Sequence, residues 1–149
     1  MNKHVLLRIN QAKLLSEMSP CPRGKVGAVI FDEEHKTVVS DGYNGPPRGG
    51  NKHCGFSDSC RRNAENIQSG TNTQIGCHHA EANALCNAAR QGASTLGKSL
   101  AVTCAPCLMC AKLIHHAGID RVYYRENSYL CEEGIEYLNR VGVKVSPYQ

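Results

Sequence analysis

The pattern of apolar and polar residues divides the chain into a regular first part, an irregular middle and a regular second half. Apolar side chains recur at near-helical spacing from Lys3 to Met18, which predicts a helix that two prolines then end. The continuous apolar run from Val26 to Phe31 indicates a buried strand. After a turn at Asp32 to His35, Thr37 to Ser40 begins the returning strand of a hairpin.

The middle of the chain, from Gly42 to Gly76, is rich in glycine, proline and polar residues and predicts mostly irregular structure. Only Arg61 to Gln68 has the composition of a short helix. A loop of this length in a compact domain is usually functional or is held by something other than a hydrophobic core. We therefore expect this segment to serve a site or to be tied down.

The second half alternates between helix and strand. Helices are expected over His79 to Gln91, Cys107 to Ala117 and Leu130 to Arg140, and strands over Leu100 to Thr103, Arg121 to Tyr124 and Val143 to Val145. Gly92 and Gly118 follow the first two helices, as glycine commonly does at a helix C-terminus. The order of elements predicts one α/β domain over residues 1–149, with three α-β-α layers around a mixed five-stranded sheet.

Composition narrows the class of protein. The 149 residues are 41% hydrophobic and 20% charged, which is typical of a globular domain. No apolar run reaches about 18 residues, and the N-terminal apolar stretch is interrupted too early for a signal peptide, so we expect a cytoplasmic protein without a membrane partner. The net charge is only +4, and no dense basic tract or aromatic stripe predicts a groove for polymeric nucleic acid.

Two short motifs supply candidate chemistry. His79 and Glu81 lie at the start of one expected helix, and Cys107 and Cys110 lie at the start of another. One histidine and two cysteines are a ligand set for a catalytic zinc, whose fourth position stays open for water, and Glu81 is a carboxylate that need not bind the metal. Taken alone, the cysteine pair would also suit half of a structural zinc knuckle or a redox pair.

Four segments of the chain resemble the deoxycytidylate (dCMP) deaminases, a branch of the zinc-dependent cytidine deaminase superfamily. They are Val26–Ile30, Gly42–Pro47, His79–Ala84 and Pro106–Lys112. The resemblance implies a cytidine-deaminase-like fold in which His79, Cys107 and Cys110 hold the catalytic zinc. It also implies hydrolytic deamination of dCMP to dUMP and ammonia by zinc-bound hydroxide, with Glu81 as the proton shuttle, supplying dUMP for dTTP synthesis.

The same resemblance assigns substrate contacts. Asn44 and the backbone amide of Ala80 are similar to groups that contact the base and sugar in the family, and Arg90 matches its 5′-phosphate-binding arginine. A guanidinium suits a phosphate, although a solvated surface arginine is the other interpretation of Arg90. Tyr129 matches a substrate-contacting tyrosine with a shift of about one position, and Tyr124 is the alternative.

Nine cysteines in a chain without a secretion signal more often bind metal or stay free than form disulfides. A second, structural zinc is expected on four cysteines that border the irregular segments: Cys21, Cys54, Cys60 and Cys77. His53 or His78 are alternatives to Cys60, and free buried cysteines are the competing interpretation. Cys86 is expected in the core, whereas Cys104 and Cys131 have no assigned role.

The family resemblance further implies a homohexamer that is activated by dCTP and inhibited by dTTP, each bound with Mg²⁺. The implied effector-binding residues are Gly45, Pro46, Arg48, Asn63, Glu65 and Asn66. Arg61 and Arg62 join Arg48 as candidates to meet the triphosphate charge, and a solvated basic turn is the competing interpretation.

Two other functions stay open from the residues. The same zinc chemistry would serve cytidine, cytosine, guanine or an adenosine in tRNA, although Arg90 argues against a free base and the absent basic groove against a polynucleotide. A non-enzymatic zinc-binding module would use the cysteines as structural sites only. Glu81 distinguishes the two classes, because only an enzyme needs this carboxylate for turnover.

Overall fold

A computed structural model of the chain describes residues 1–49, 53–54, 59–129 and 132–149. Five strands in these ranges form one sheet: β1 (Gly27–Asp32), β2 (Thr37–Tyr43), β3 (Ser99–Val102), β4 (Arg121–Arg125) and β5 (Lys144–Tyr148). The helices are α1 (Lys3–Ser16), α2 (Arg61–Ala64), α3 (Ala80–Gln91), α4 (Leu108–His116) and α5 (Glu133–Arg140). The sheet is mixed, with the order β2-β1-β3-β4-β5, which confirms the predicted fold class.

The directions of the strands explain where the helices lie. β1 is antiparallel to β2 and to β3, whereas β4 is parallel to β3 and to β5. The strands β2, β3, β4 and β5 therefore point the same way, and α3, α4 and α5 connect them in turn. Right-handed crossovers that proceed in one direction along a sheet place their helices on one face. As a result, these three helices begin at the edge of the sheet where the parallel strands end.

The sheet is buried on both faces, so its central strands carry apolar residues without interruption. One face packs against α3, α4 and α5 through Ala28, Ile30, Leu100, Val102 and Val122. The other face packs against Val5, Ile9 and Ala12 of α1 through Val29, Phe31, Ala101 and Tyr123. This alternation explains why the apolar run that begins at Val26 predicted a buried strand.

Strand β2 continues past the point where the sequence predicted irregular structure. Gly42 suggested the end of the strand, but it is buried within β2 and pairs with Ala28. A Cβ atom on Gly42 would lie 2.6 Å from the backbone nitrogen of Ala84, so this glycine allows β2 to approach α3 closely. The glycine therefore marks a packing contact and not the beginning of a loop.

Several element ends also differ from the expected ones. The first helix ends at Ser16, and α2 is four residues long instead of the eight expected from its composition. The last strand extends to Tyr148 through Pro147, which an edge strand tolerates because one side of it needs no N–H donor. Leu130, where the third long helix was expected to begin, and Cys131 lie outside the described residues. None of the described helices has the length and apolar character required to cross a membrane.

Candidate metal centre

Three metal-binding side chains converge where α3 and α4 begin. His79 Nδ1 lies 3.5 Å from Cys107 Sγ and 3.3 Å from Cys110 Sγ. The ligand atoms of the three residues are all within 4.8 Å of one another. A tetrahedral zinc with ordinary Zn–N and Zn–S bonds separates such atoms by about 3.6 Å. The donor set and its spacing thus fit a zinc ion with three protein ligands and one open position.

Helix geometry explains why these residues meet. His79 is the N-cap residue of α3, and Cys107 is the N-cap residue of α4. Cys110 lies three residues after Cys107, on the same side of the first turn. The positive ends of the two helix dipoles point at the sulfurs and favour their thiolate forms. The hydrogen bond with the Cys110 thiol lowers the pKa of the Cys107 thiol to about 4, and the His79 ring acts in the same direction.

Close packing behind the centre fixes the loop that carries Cys107. A Cβ atom on Gly134 of α5 would lie 2.0 Å from the carbonyl oxygen of Pro106, so α5 rests directly on the backbone of this loop. On the other side, Ser128 Oγ accepts a hydrogen bond of 2.8 Å from the Ala105 N–H. The backbone before α4 is therefore held from two directions.

Glu81 lies beside the three ligands and is buried, with 5% of its surface exposed. Burial raises the pKa of its carboxyl group to about 7, while the charge of the nearby His79 ring opposes that shift. A carboxyl group with a pKa near neutrality accepts and donates protons with comparable ease. The geometry thus supplies a proton-transfer group next to a zinc site.

His79, Cys107 and Glu81 line a cleft of about 440 Å³, whereas Cys110 is fully buried behind them. Asn44, Ala80 and Tyr129 line this cleft, as the sequence predicted, whereas Tyr124 is not among its lining residues. The side chain of Asn44 also holds the cleft together, because it accepts a 2.8 Å hydrogen bond from the Val26 N–H and donates one of 2.8 Å to the Gly24 carbonyl.

The arginines of the cleft differ from the one that the sequence predicted. Arg90 is exposed near the far end of α3, about 15 Å along the helix from Ala80, and does not line the cleft of its own chain. Arg23 and Arg62 line the cleft instead. Arg23 was missed because it follows a proline-rich turn with no motif, and only its basic character within an irregular segment pointed to it.

Comparison with known proteins agrees with the zinc-site geometry described above. Residues 3–126 match the family described as the cytidine and deoxycytidylate deaminase zinc-binding region. The chain belongs to this family of zinc-dependent deaminases. The chain is 35% identical to ComE operon protein 2 of Bacillus subtilis over 141 residues, which cover 91% of this chain and 66% of that protein. The matching ligand geometry and this membership together identify His79, Cys107 and Cys110 as a catalytic zinc site of the family.

Deoxycytidylate deaminase of Saccharomyces cerevisiae is 34% identical to the chain over 137 residues, covering 92% of the chain but 42% of that enzyme. The chain thus spans less than two thirds of the length of both curated relatives. A crystal structure of dCMP deaminase from the cyanophage S-TIM5 in complex with dCMP and dUMP is 33% identical, with a TM-score of 0.78 over 99% of each chain. The structural similarity to this dCMP deaminase therefore extends over nearly the whole chain.

The cysteines expected to hold a second zinc line the same cleft. They are Cys21, Cys54, Cys60 and Cys77. The hydrogen bond with the Cys77 thiol lowers the pKa of the Cys21 thiol to about 5, and Cys77 also interacts with Cys54. Within the described ranges, only His79, Cys107 and Cys110 bring three ligand atoms within 4.8 Å of one another. The four cysteines are thus neighbours that do not close into a tetrahedral set.

Cys86 and Cys104, which belong to neither zinc-ligand set, differ in their exposure to solvent. Cys86 was expected in the core, but it is exposed because Ala80, Ala84 and Ala88 form the buried stripe of α3. Cys104 lines the cleft, and burial raises the pKa of its thiol to about 11. The Cys104 thiol donates a 3.2 Å hydrogen bond to the Ser128 carbonyl oxygen, and Cys104 does not belong to the group of three converging ligands.

The residues expected to bind an effector lie in two places. Arg48 follows Gly45 and Pro46 on the loop after β2 and donates a 2.8 Å hydrogen bond to Asn87 of α3. Near α2, Asn63 accepts a 3.0 Å hydrogen bond from Arg23, and Glu65 pairs with Arg61 at 2.9 Å, just before Asn66. Within the described ranges, no hydrogen bond or ion pair of these residues joins the two groups.

Replacing Gly134 with alanine tests the support behind the zinc ligands. The new Cβ would collide with the Pro106 carbonyl and displace the loop before Cys107. Overpacking of this kind destabilises a core by about 1–3 kcal/mol, so we expect a Tm lower by roughly 3–10 °C together with faster loss of zinc to a chelator. Gly24→Ala is the matched control, because a Cβ there meets nothing within 4 Å. Equal Tm and equal zinc retention in the two variants would contradict this role of Gly134.

Proposed function

We propose that the protein hydrolytically deaminates dCMP to dUMP and ammonia. The observation that carries this proposal is the buried Glu81 carboxyl group beside the three zinc ligands, in a cleft that two arginines also line. The relatives named deoxycytidylate deaminase, and the similar structure that contains dCMP and dUMP, support this choice of substrate within the family.

The chain's own residues would divide the reaction as follows. His79, Cys107 and Cys110 would hold the zinc, which when bound lowers the pKa of a water molecule and supplies the nucleophile. Glu81 would accept a proton from the attacking water and pass it to N3 of the cytosine as the C4–O bond forms. It would then take the proton of the new C4 hydroxyl and deliver it to the amino group, which leaves as ammonia when the C4–N bond breaks. Its raised pKa suits both directions of transfer.

The walls of the cleft would orient the nucleotide. We assign contacts with the base and sugar to the Ala80 N–H, at the positive end of α3, and to Asn44, with Tyr129 packing against the substrate. Arg23 would meet the 5′-phosphate, because its hydrogen bonds go to the neutral acceptors Asn63 and Ser69 and no described residue forms an ion pair with it. Arg90, which lies outside this cleft, would contact phosphate only at a neighbouring subunit.

The finer features implied by the family complete the proposal. We infer a cytoplasmic homohexamer whose dUMP product feeds dTTP synthesis, with dCTP as activator and dTTP as inhibitor, each bound with Mg²⁺. The supporting observations are the basic Arg48 loop and the polar surface of α2, which carry exposed groups suited to a triphosphate.

Release of ammonia and dUMP from dCMP tests the activity. We expect turnover of dCMP that exceeds that of deoxycytidine, because only the nucleotide offers a phosphate to the arginines of the cleft. We also expect dCTP with Mg²⁺ to raise the rate at subsaturating dCMP and dTTP with Mg²⁺ to lower it. A folded, zinc-loaded sample that turns over no dCMP would overturn the substrate assignment. Rates unchanged by either triphosphate would overturn the regulatory part alone.

Replacing Glu81 with glutamine separates an enzyme from a zinc-binding module. The amide keeps the shape of the side chain but cannot shuttle protons, so we expect kcat to fall by roughly 10²–10⁴-fold or more with zinc content unchanged. Glu136→Gln, on an exposed position of α5, removes the same charge away from the cleft and should leave kcat as it is. Full turnover by Glu81→Gln would exclude the proposed proton shuttle.

A second, structural zinc on Cys21, Cys54, Cys60 and Cys77 belongs to the same proposal. The support for this site is that the Cys77 thiol interacts with the thiols of Cys21 and Cys54. Cys77 also lies two residues before the zinc ligand His79. We expect the purified protein to hold two zinc ions per chain, and Cys77→Ser to lose one of them. Cys86→Ser, at an exposed cysteine of α3, is the control and should keep both. One zinc per chain in the unsubstituted protein would refute the second site.

A further inference from the structure

The two consecutive arginines of α2 have different surroundings. Arg61 is exposed and pairs with Glu65 one turn later, with a separation of 2.9 Å between Nε and Oε1. Arg62 is half-buried and lines the cleft together with His79 and Glu81. The side chain of Arg61 therefore lies at the surface of α2, whereas that of Arg62 lines the cleft.

The guanidinium of Arg62 has few partners. Among the described residues, its only hydrogen bond is one of 3.2 Å from Nη2 to the Gln68 carbonyl oxygen. The Arg62 Nε atom is buried, and among the described residues it has no hydrogen-bond acceptor. No ion pair that the described residues form includes Arg62. Buried donors in folded proteins are nearly always satisfied, so this group is available for an acceptor that the described part of the chain does not provide.

The side chain is also held in place. A Cβ atom on Gly76 would lie 3.0 Å from Arg62 Cδ, so the arginine runs through a space that this glycine leaves open. The Arg62 carbonyl oxygen accepts a 2.8 Å hydrogen bond from the Ile67 N–H, which fixes the backbone at its base. A cation that is already ordered loses little conformational entropy when it binds an anion.

A second cation shares the wall. Arg23 lines the same cleft, and its guanidinium bonds to the neutral side chains of Asn63 and Ser69. Since Asn63 follows Arg62 directly in α2, the two arginines are joined through the same short helix. Two positive charges with neutral partners make this wall attractive to a compact anion, and a guanidinium can bind phosphate oxygens through two parallel N–H groups.

We propose that Arg62 is a specificity-determining residue that binds the phosphate of the substrate and so selects a nucleotide over a nucleoside. This assignment rests on the proposed deamination of a nucleoside monophosphate. It places Arg62 at the substrate, in contrast to the contact with an effector triphosphate that the sequence analysis expected for Arg62. Together with Arg23 it forms one subsite, with the phosphate between the proline-rich turn and α2.

Steady-state kinetics of Arg62→Gln and Arg62→Lys with dCMP and with deoxycytidine test the proposal. We expect Arg62→Gln to raise the KM for dCMP by about 10–100-fold, the range of one charge-assisted hydrogen bond, and to leave kcat/KM for deoxycytidine within about twofold. Arg62→Lys should recover part of the loss, because lysine keeps the charge but lacks the paired N–H groups. Arg140→Gln, on an exposed position of α5, controls for net charge and should match the unsubstituted protein.

Calorimetric binding of dUMP and of deoxyuridine provides a second measurement that does not need turnover. Arg62→Gln should weaken dUMP binding by a similar factor and leave deoxyuridine binding unchanged. Equal losses for nucleotide and nucleoside, or a lower Tm as the sole effect, would mean that Arg62 only supports the fold and would overturn the assignment. If Arg62→Gln does not fold, the same comparison with Arg62→Lys decides. Absence of dCMP turnover by the unsubstituted protein would instead refute the proposed function.

Discussion

The metal ligands meet only because two helices begin at the same edge of the sheet. The parallel strands β2 and β3 end there, and the chain enters α3 and α4 with His79 and Cys107 as the N-cap residues. Each helix adds the positive end of its dipole to the centre, which stabilises anionic sulfur and an attacking oxygen alike. The crossover topology thus produces the electrostatic environment as well as the geometry. A change that separated the two helix ends would remove both at once.

Close approach of the backbone is the condition for this convergence. Gly42 lets β2 contact α3, and Gly134 lets α5 rest on the loop before Cys107. Glu81 is buried in the first turn of α3, and that burial is the main cause of its raised pKa. Larger side chains at the two glycines would displace β2 from α3 and α5 from the loop before Cys107.

The sequence predicted the parts of this arrangement that depend on local spacing. Each helix, strand and ligand motif lies within one short continuous segment of the chain. Periodicity and residue type therefore identified them. The arginines of the cleft come from a proline-rich turn and a four-residue helix, segments too short or irregular to show a hydrophobic periodicity. The positions of these arginines depend on the path of the chain between the two segments. Arg90 was placed by resemblance alone, and the rise of α3 carries it away from the cleft. Gly42 suggested a loop because a sequence does not show which backbone will approach it.

The cleft is lined by groups of opposite charge from different segments of the chain. His79, Glu81 and Cys107 come from the starts of α3 and α4, whereas Arg23 and Arg62 come from the proline-rich turn and α2. A nucleotide is polarised in the same way, with a neutral base at one end and a dianionic phosphate at the other. In the proposed binding mode, the arginines would attract the phosphate and the carboxylate would repel it, so that the base enters first and C4 reaches the zinc site. The binding energy of the phosphate would thereby orient the base for attack, although the phosphate takes no part in the chemical step.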